Sequence, residues 1–205
     1  MSNLGRAGTL AEARSLVTET AFADDVADVL GMMADLWPVR VVDGPLSADA
    51  LDVDAVLVVR GDVDVKGCLG DVPSDHGAML VVLGDLSTHD LVFHGPIFVT
   101  GRASVTGTAF FASSGDWVLA VCGDFVGGTL VEYDHALEIS GETRFRHVYR
   151  RGQDPHPLFI DALLYSDQKT RRENGALVEV TVHYIDPAPM EDAIRAGKNI
   201  LRSPT

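Results

Sequence analysis

The stretch from Pro96 to Phe111, PIFVTGRASVTGTAFF, alternates apolar and small polar residues as a β-strand does, yet Gly101 and Gly107 interrupt it. A glycine inside a strand pattern marks a corner, a bulge or a close backbone approach. The stretch therefore reads as a strand that turns a corner and begins again.

The same pattern recurs along the chain. Aligned on Gly61, Gly84, Gly101, Gly123 and Gly141, the repeats are 23, 17, 22 and 18 residues long. Four residues before each glycine stand Leu57, Leu80, Ile97, Leu119 and Leu137; two before stand Val59, Val82, Val99, Val121 and Ile139. A period of two places these ten aliphatics on one strand face, and β-branched side chains suit that pleated surface. Asp62, Asp85, Arg102, Asp124 and Glu142 follow the glycines and read as exposed corner residues. A strand, a glycine corner and another strand, repeated about every 20 residues, describe a winding chain. The expected fold is mainly β: a single-stranded β-solenoid (parallel β-helix) of about five coils, with glycine at each corner because other residues disfavour positive φ. The alternative is a set of antiparallel hairpins in which Gly-Asp forms a two-residue turn. It accounts for Gly-Asp but not for the recurring aliphatic pair. In a solenoid the corner acids would stack at the ~4.8 Å strand spacing and repel by about 1 kcal/mol per pair in water. Arg102 interrupts that row.

The flanks differ. Thr9 and Glu12 form a T-x-x-E capping box, and Phe22, Val26, Leu30, Met33 and Trp37 follow at helical spacing, predicting helix over 9–37 until Pro38 stops it. After the repeats, RFRHVYRRGQDPHP reads as a basic loop, 158–167 as a short buried helix, QKTRRENG as a polar turn, LVEVTVHYID as a strand and PMEDAIRAGKNILR as a closing helix with Gly197 near its end. The expected organisation is a helical N-terminal cap and lead-in over 1–54, the solenoid over 55–148, and a mixed α/β C-terminal cap over 149–205. Covered ends argue against polymerisation through open strand edges.

Composition bounds the function. The chain has 205 residues, 46% of them apolar, which is enough for a real core. No apolar run approaches the ~18 residues of a membrane span, and the N-terminus lacks the basic and apolar regions of a secretory signal. A cytoplasmic protein with no membrane association is expected, with Cys68 and Cys122 as reduced thiols. The net charge is −14, and residues 68–143 carry ten acids against one base, Arg102. Such a segment repels phosphate backbones, so no nucleic-acid partner is expected, whereas a cationic protein would be attracted.

Catalytic signatures are sparse. GxSxG, P-loop, HExxH and dinucleotide fingerprints are absent, and His89-Asp90, Asp75-His76 and Asp134-His135 are sequence neighbours, which point to opposite strand faces. Ser113 and Ser114 have no base at a defensible spacing. Asp62, Asp85 and Asp124 form the acid row that a carbohydrate-cleaving β-helix would require, at a defined ~5 to 9.5 Å separation. Gly95, Gly101 and Gly107, six residues apart, are similar to the hexapeptide repeat of acyltransferase helices, but the pattern fades after Gly107. No catalytic residue, metal or cofactor is assigned.

Two stretches, LVVLGDLSTHDLVFHG (80–95) and VLAVCGDFVGGTLVEYDHALEI (118–139), resemble the coils of bactofilin-like, polymer-forming β-helical proteins. They look closest to a bacterial set that joins such coils to terminal helices. The Asp134-His135 step and the ending IRAGKNILR (194–202) are similar to features of that set. The likeness covers about residues 55–145 and the last dozen. True bactofilins carry flexible polar tails, whereas these flanks read as folded. The resemblance implies an immunity or accessory protein of a polymorphic toxin system. The expectation is a non-enzymatic protein, monomer or small homo-oligomer, that occludes a basic toxin domain through Asp62, Asp64, Asp71, Asp75, Asp85, Asp90, Asp116, Asp124, Glu132 and Asp134. The alternatives are a bactofilin-like self-assembling scaffold or a carbohydrate-active or acyl-transfer enzyme.

Overall fold

A computed structural model describes residues 4–18, 20–72, 77–112, 117–133, 135–155, 157–173 and 176–203. It divides into two compact units, residues 1–148 and 149–205. The first opens with β1 (Arg6–Ala7), α1 (Leu10–Val17) and α2 (Ala23–Leu36). Strands then wind in sequence: β2 (Val39–Val42), β3 (Leu46–Ala48) and β4 (Leu51–Val53); β5 (Val56–Val59) and β6 (Val63–Asp71); β7 (Met79–Val82) and β8 (Leu86–Phe93). They continue as β9 (Ile97–Val99) and β10 (Ala103–Ala112); β11 (Val118–Val121) and β12 (Phe125–Tyr133); β13 (Ala136–Ile139) and β14 (Thr143–Arg150).

From β2 to β13 the neighbouring winding strands pair in parallel. The chain is therefore a β-solenoid of about six turns, and the hairpin alternative falls. One sheet runs β1-β2-β5-β7-β9-β11-β13 and the other β14-β12-β10-β8-β6-β3, with β4 also on β6. Register irregularities between Val65 and Cys68 and between Val105 and Thr108 interrupt the second sheet part-way along β6 and β10.

The sequence alignment missed the first turn. Arg40 pairs with Leu57 and Val42 with Val59, so β2 lies in register with the repeat although arginine stands at its first aliphatic position. The expected column does form: Leu57, Leu80, Ile97, Leu119 and Leu137 are successive register partners. They join Val59, Val82, Val99, Val121 and Phe93, Phe111 and Phe125 in one interior core, fully buried except at Leu137 and Ile139 in the last turn.

The corner glycines need a different explanation from the expected one. Gly61, Gly84, Gly101, Gly123 and Gly141 are not among the positive-φ residues. They are small because turns stack backbone on backbone: a Cβ at Gly101 would lie 2.7 Å from Gly84 O, and one at Gly141 2.6 Å from Gly123 O. Stacking, not a left-handed φ, excludes a side chain there. The six-residue spacing of Gly95, Gly101 and Gly107 has the same origin, one close approach at each of three successive bends; a Cβ would lie 1.8 Å from Ala78 O at the first and 2.4 Å from Asp90 Oδ1 at the third.

The outward residues of the first sheet are apolar as well. Val56, Val58, Met79, Val81, Phe98 and Ala120 are buried against Ala13, Val17, Phe22, Val26, Leu30 and Met33 of the helices. The helices thus lie along the sheet's outer face, and Phe22 meets Phe98 at 6.0 Å between ring centroids. Burial on both faces is what near-continuous apolar strands require. The expected single helix over 9–37 is two. Thr9 caps α1 by accepting the Glu12 N–H at 3.1 Å, but the Glu12 carboxylate is held by Arg6 rather than completing the capping box.

The second unit departs from expectation at its start. Only Asp161–Leu163 is helical, as one 3-10 turn; β15 (Leu164–Glu173) follows where a helix and a polar turn were expected. It pairs antiparallel with β16 (Ala176–Ile185), and α3 (Pro187–Arg195) follows, stopping short of the helix expected through Arg202, with Gly197 just beyond it at φ +63°. Among the described residues no helix is long and apolar enough to cross a membrane.

Candidate functional site: acids at the bends of the solenoid

The solenoid places the acids on several columns instead of one face. Asp62, Asp85 and Asp124 occupy the first corner. Each accepts the backbone N–H of the residue one turn further on: Asp62 Oδ1 from Asp85 at 2.8 Å, Asp85 Oδ1 from Arg102 at 2.8 Å, and Asp124 Oδ1 from Glu142 at 3.0 Å. The row stitches turn to turn and satisfies amides that a sharp corner would leave unpaired. The Glu142 amide, followed by the charges of Arg144 and Arg102, holds the Asp124 carboxyl below the usual aspartate range. The expected like-charge strain is thus offset by amide dipoles and these two arginines. Asp62 and Asp85 still reach solvent, and Asp124 does so in part.

Asp64 is exposed on the second sheet, in register with Ser47 and Ser87. Asp90 is different. It is 7% exposed at the bend, its Oδ1 accepts the Thr108 N–H at 2.7 Å, and burial pushes its carboxyl up. Thr88 is buried beside it, its one hydroxyl proton shared between the Asp90 carbonyl at 2.8 Å and the Gly67 carbonyl at 3.0 Å.

Asp71 is the most enclosed acid, with no exposure at all. Its carboxylate accepts the Ala78, His94 and Gly95 backbone N–H groups, each at 3.1 Å, and Oδ1 lies 2.9 Å from His94 Nδ1. An ionised carboxylate there makes Nδ1 the protonated nitrogen. Gly77, at φ +63°, is required on two counts, because a Cβ would come 2.2 Å from Gly95 N and 2.6 Å from Asp71 Oδ2. The nearby His135 ring is 4% exposed and lies 5.2 Å from the Phe111 ring. Neither of its nitrogens makes a hydrogen bond of good geometry among the described residues, the Val118 backbone being close enough only to act weakly on the ring, and burial drives its pKa down to about 4. The corner therefore holds an oriented Asp-His pair beside a neutral imidazole.

An Asp-oriented imidazole is the first half of general-base chemistry. Here, however, the carboxylate is already committed to three amides. The cluster is a clamp that closes two successive bends. Among the described residues, no three of His, Cys, Asp and Glu converge as a metal-holding group.

Two of the sequence-derived docking acids are thereby corrected. Asp71 and Asp90 are buried and spent on backbone amides, so neither can present its charge to a docked protein. Glu132 is half-buried at the end of β12, opposite Phe111 of the turn before. Asp75, Asp116 and Asp134 lie outside the described residues, as do Ser113, Ser114 and His76. On the accessible corner column Asp62 and Asp85 are successive, with Asp64 two residues along from the first, and Arg102 separates them from Asp124, which Arg144 also approaches at 3.4 Å. His94 was not singled out from sequence, but one signal for its partner was legible. Asp71 follows Leu69 as Phe93 follows Leu91, so an acid stands where the repeat calls for a core residue.

The chain was compared with protein-family models, curated proteins and solved structures. It matches none of them. The functional reading rests on the residues alone.

Proposed function

We propose that this chain is a non-enzymatic binding protein that occludes a cationic protein partner, in the manner of immunity proteins of bacterial polymorphic toxin systems. The observation that carries the reading is the accessible acids of the stacked turns, Asp62, Asp64 and Asp85 with Asp124 part-exposed, beside a segment, 68–143, whose one base is Arg102. A solenoid tied turn to turn by carboxylate–amide bonds holds Asp62, Asp85 and Asp124 at fixed spacing, with Asp64 beside them. A preordered acidic row costs little side-chain entropy on docking and steers a basic surface toward it.

Salt and substitution test the proposal together. Asp→Asn at 62, 85 and 124 keeps an oxygen to accept each amide while removing the charge; Asp64→Asn removes the fourth. Partners captured from the native host at about 0.05 M salt should be released at about 0.5 M, where screening reaches only a few ångströms. The fourfold variant should fold and capture less. Equal capture by the variant, or capture indifferent to salt, overturns the reading.

A second reading, a bactofilin-like self-assembling scaffold, draws on β13 and β14, which among the described residues end their sheets with a strand neighbour on one side only. Sedimentation and electron microscopy separate the two. Filaments favour the scaffold; a small monodisperse particle favours the binder.

A further inference from the structure

The two strands of the C-terminal hairpin have unlike edges. β15 and β16 pair over ten residues each, from Leu164 opposite Ile185 to Glu173 opposite Ala176, and among the described residues no third strand joins them. Cross-strand contacts hold the pair: Tyr165 stacks on Tyr184 at 5.1 Å, Ser166 Oγ lies 2.9 Å from His183 Nδ1, and Gln168 Nε2 donates to Thr181 Oγ1 at 2.9 Å. A two-stranded ribbon is nonetheless marginal in water, and long unpaired edges recruit further strands.

The sequence protects one edge and not the other. β15 reads LYSDQKTRRE, with five charged residues in ten, the usual guard against edge pairing. β16 reads ALVEVTVHYI, β-branched and aromatic, with Glu179 its one carboxylate and no lysine or arginine. Val180, Val182 and Tyr184 share a face and are half-buried, while Glu179 and Thr181 are exposed.

We propose that the β16 edges of two copies pair antiparallel about a twofold axis at Thr181, making a four-stranded sheet. That register sets Glu179 opposite His183 of the second copy, twice, and Val180 opposite Val182, twice, continuing the apolar face across the axis. An axis at Glu179 would set the two carboxylates against each other; an axis at Val180 would leave each Glu179 opposite a threonine. The pairing of a carboxylate with an imidazole, whose N–H can donate to it, selects Thr181. The partner is a second copy because the edge complements itself. The proposal is independent of the acidic row.

The full-length chain tests it. Sedimentation should give twice the 21.9 kDa chain mass. In the antiparallel pair the Cα atoms at the axis lie about 4.5–5.5 Å apart, within disulfide reach. Thr181→Cys should therefore cross-link under mild oxidation, whereas Thr170→Cys on the β15 edge and the parent chain, with Cys68 and Cys122, should not. Glu179→Lys should weaken dimerisation about tenfold, and adding His183→Glu should restore it. A monomer at every concentration overturns the proposal. So does cross-linking at 170 equal to that at 181, or failure of the charge swap to rescue.

Discussion

Replacing Gly101 by alanine isolates the stacking argument from the φ argument. A Cβ at that position would sit 2.1 Å from Asp85 Oδ1, 2.7 Å from Gly84 O and 2.9 Å from Gly84 C, well inside the about 3.5 Å of unstrained non-bonded atoms. The carboxylate cannot simply swing away, because the Arg102 N–H holds it at 2.8 Å. The side-chain and backbone clashes are separate, so room is made by giving up that charge-assisted bond, at about 1.5–3 kcal/mol, and also by spreading two turns, at about 1–3 kcal/mol of overpacking. The lower entropy of the unfolded alanine chain returns about 0.4–1 kcal/mol. A net loss of about 2–5 kcal/mol is expected. Gly44 supplies the control. It has φ +113° and nothing within 4 Å of a built Cβ, so Gly44→Ala meets only left-handed backbone strain, about 1–2 kcal/mol. Both tryptophans, Trp37 and Trp117, lie in the first unit and pack against the helix-covered face, so their fluorescence in a urea titration reports the solenoid. If Gly101→Ala costs no more than Gly44→Ala, the stacking account of the corner glycines is wrong.

Other outcomes follow from the same contacts. Phe98→Ala should cost about 3–5 kcal/mol, since it empties the contact with Phe22 beneath the helices, whereas Glu138→Ala, the register partner of Ala120 one turn on, should lie within about 0.5 kcal/mol of the parent. Asp71→Ala removes the acceptor of three backbone N–H groups and the carboxylate beside the His94 ring, for a loss of about 3–5 kcal/mol. Asp71→Asn should cost less, and hydrogen exchange should rise first at Ala78, His94 and Gly95. His135 is buried neutral with its pKa lowered to about 4 against an ordinary 6.5. Between these values the unfolded chain binds a proton that the native chain does not. Stability should therefore fall as pH drops from about 6.5 to about 4, by on the order of 3 kcal/mol. His135→Leu should flatten that slope, and parallel pH profiles for parent and variant would count against a buried neutral imidazole.

The winding was legible because strand periodicity is local. Leu57 and Val59, repeated through Leu137 and Ile139, announce one buried face whatever they pack against, and the register bears this out. The first turn was hidden because Arg40 breaks that pattern while still pairing in register with Leu57. The helices' placement was latent in the outward residues, Val58, Val81, Phe98 and Ala120 followed by Glu138: apolar where covered, charged where bare. At the C-terminus, LFIDALLYSD carries apolar residues compatible with either period, and cross-strand partners in β16 settle it as strand after one 3-10 turn.

By itself the sequence determined which residues point inward, where the chain must bend and how the charge is spread, because each is set by neighbours a few positions away. The tertiary structure alone decided what the acids do. Whether Asp71 meets solvent or three amides depends on residues up to 24 positions distant brought close by the next turns. The free energy of a carboxylate is set by that surrounding and not by its place in the chain.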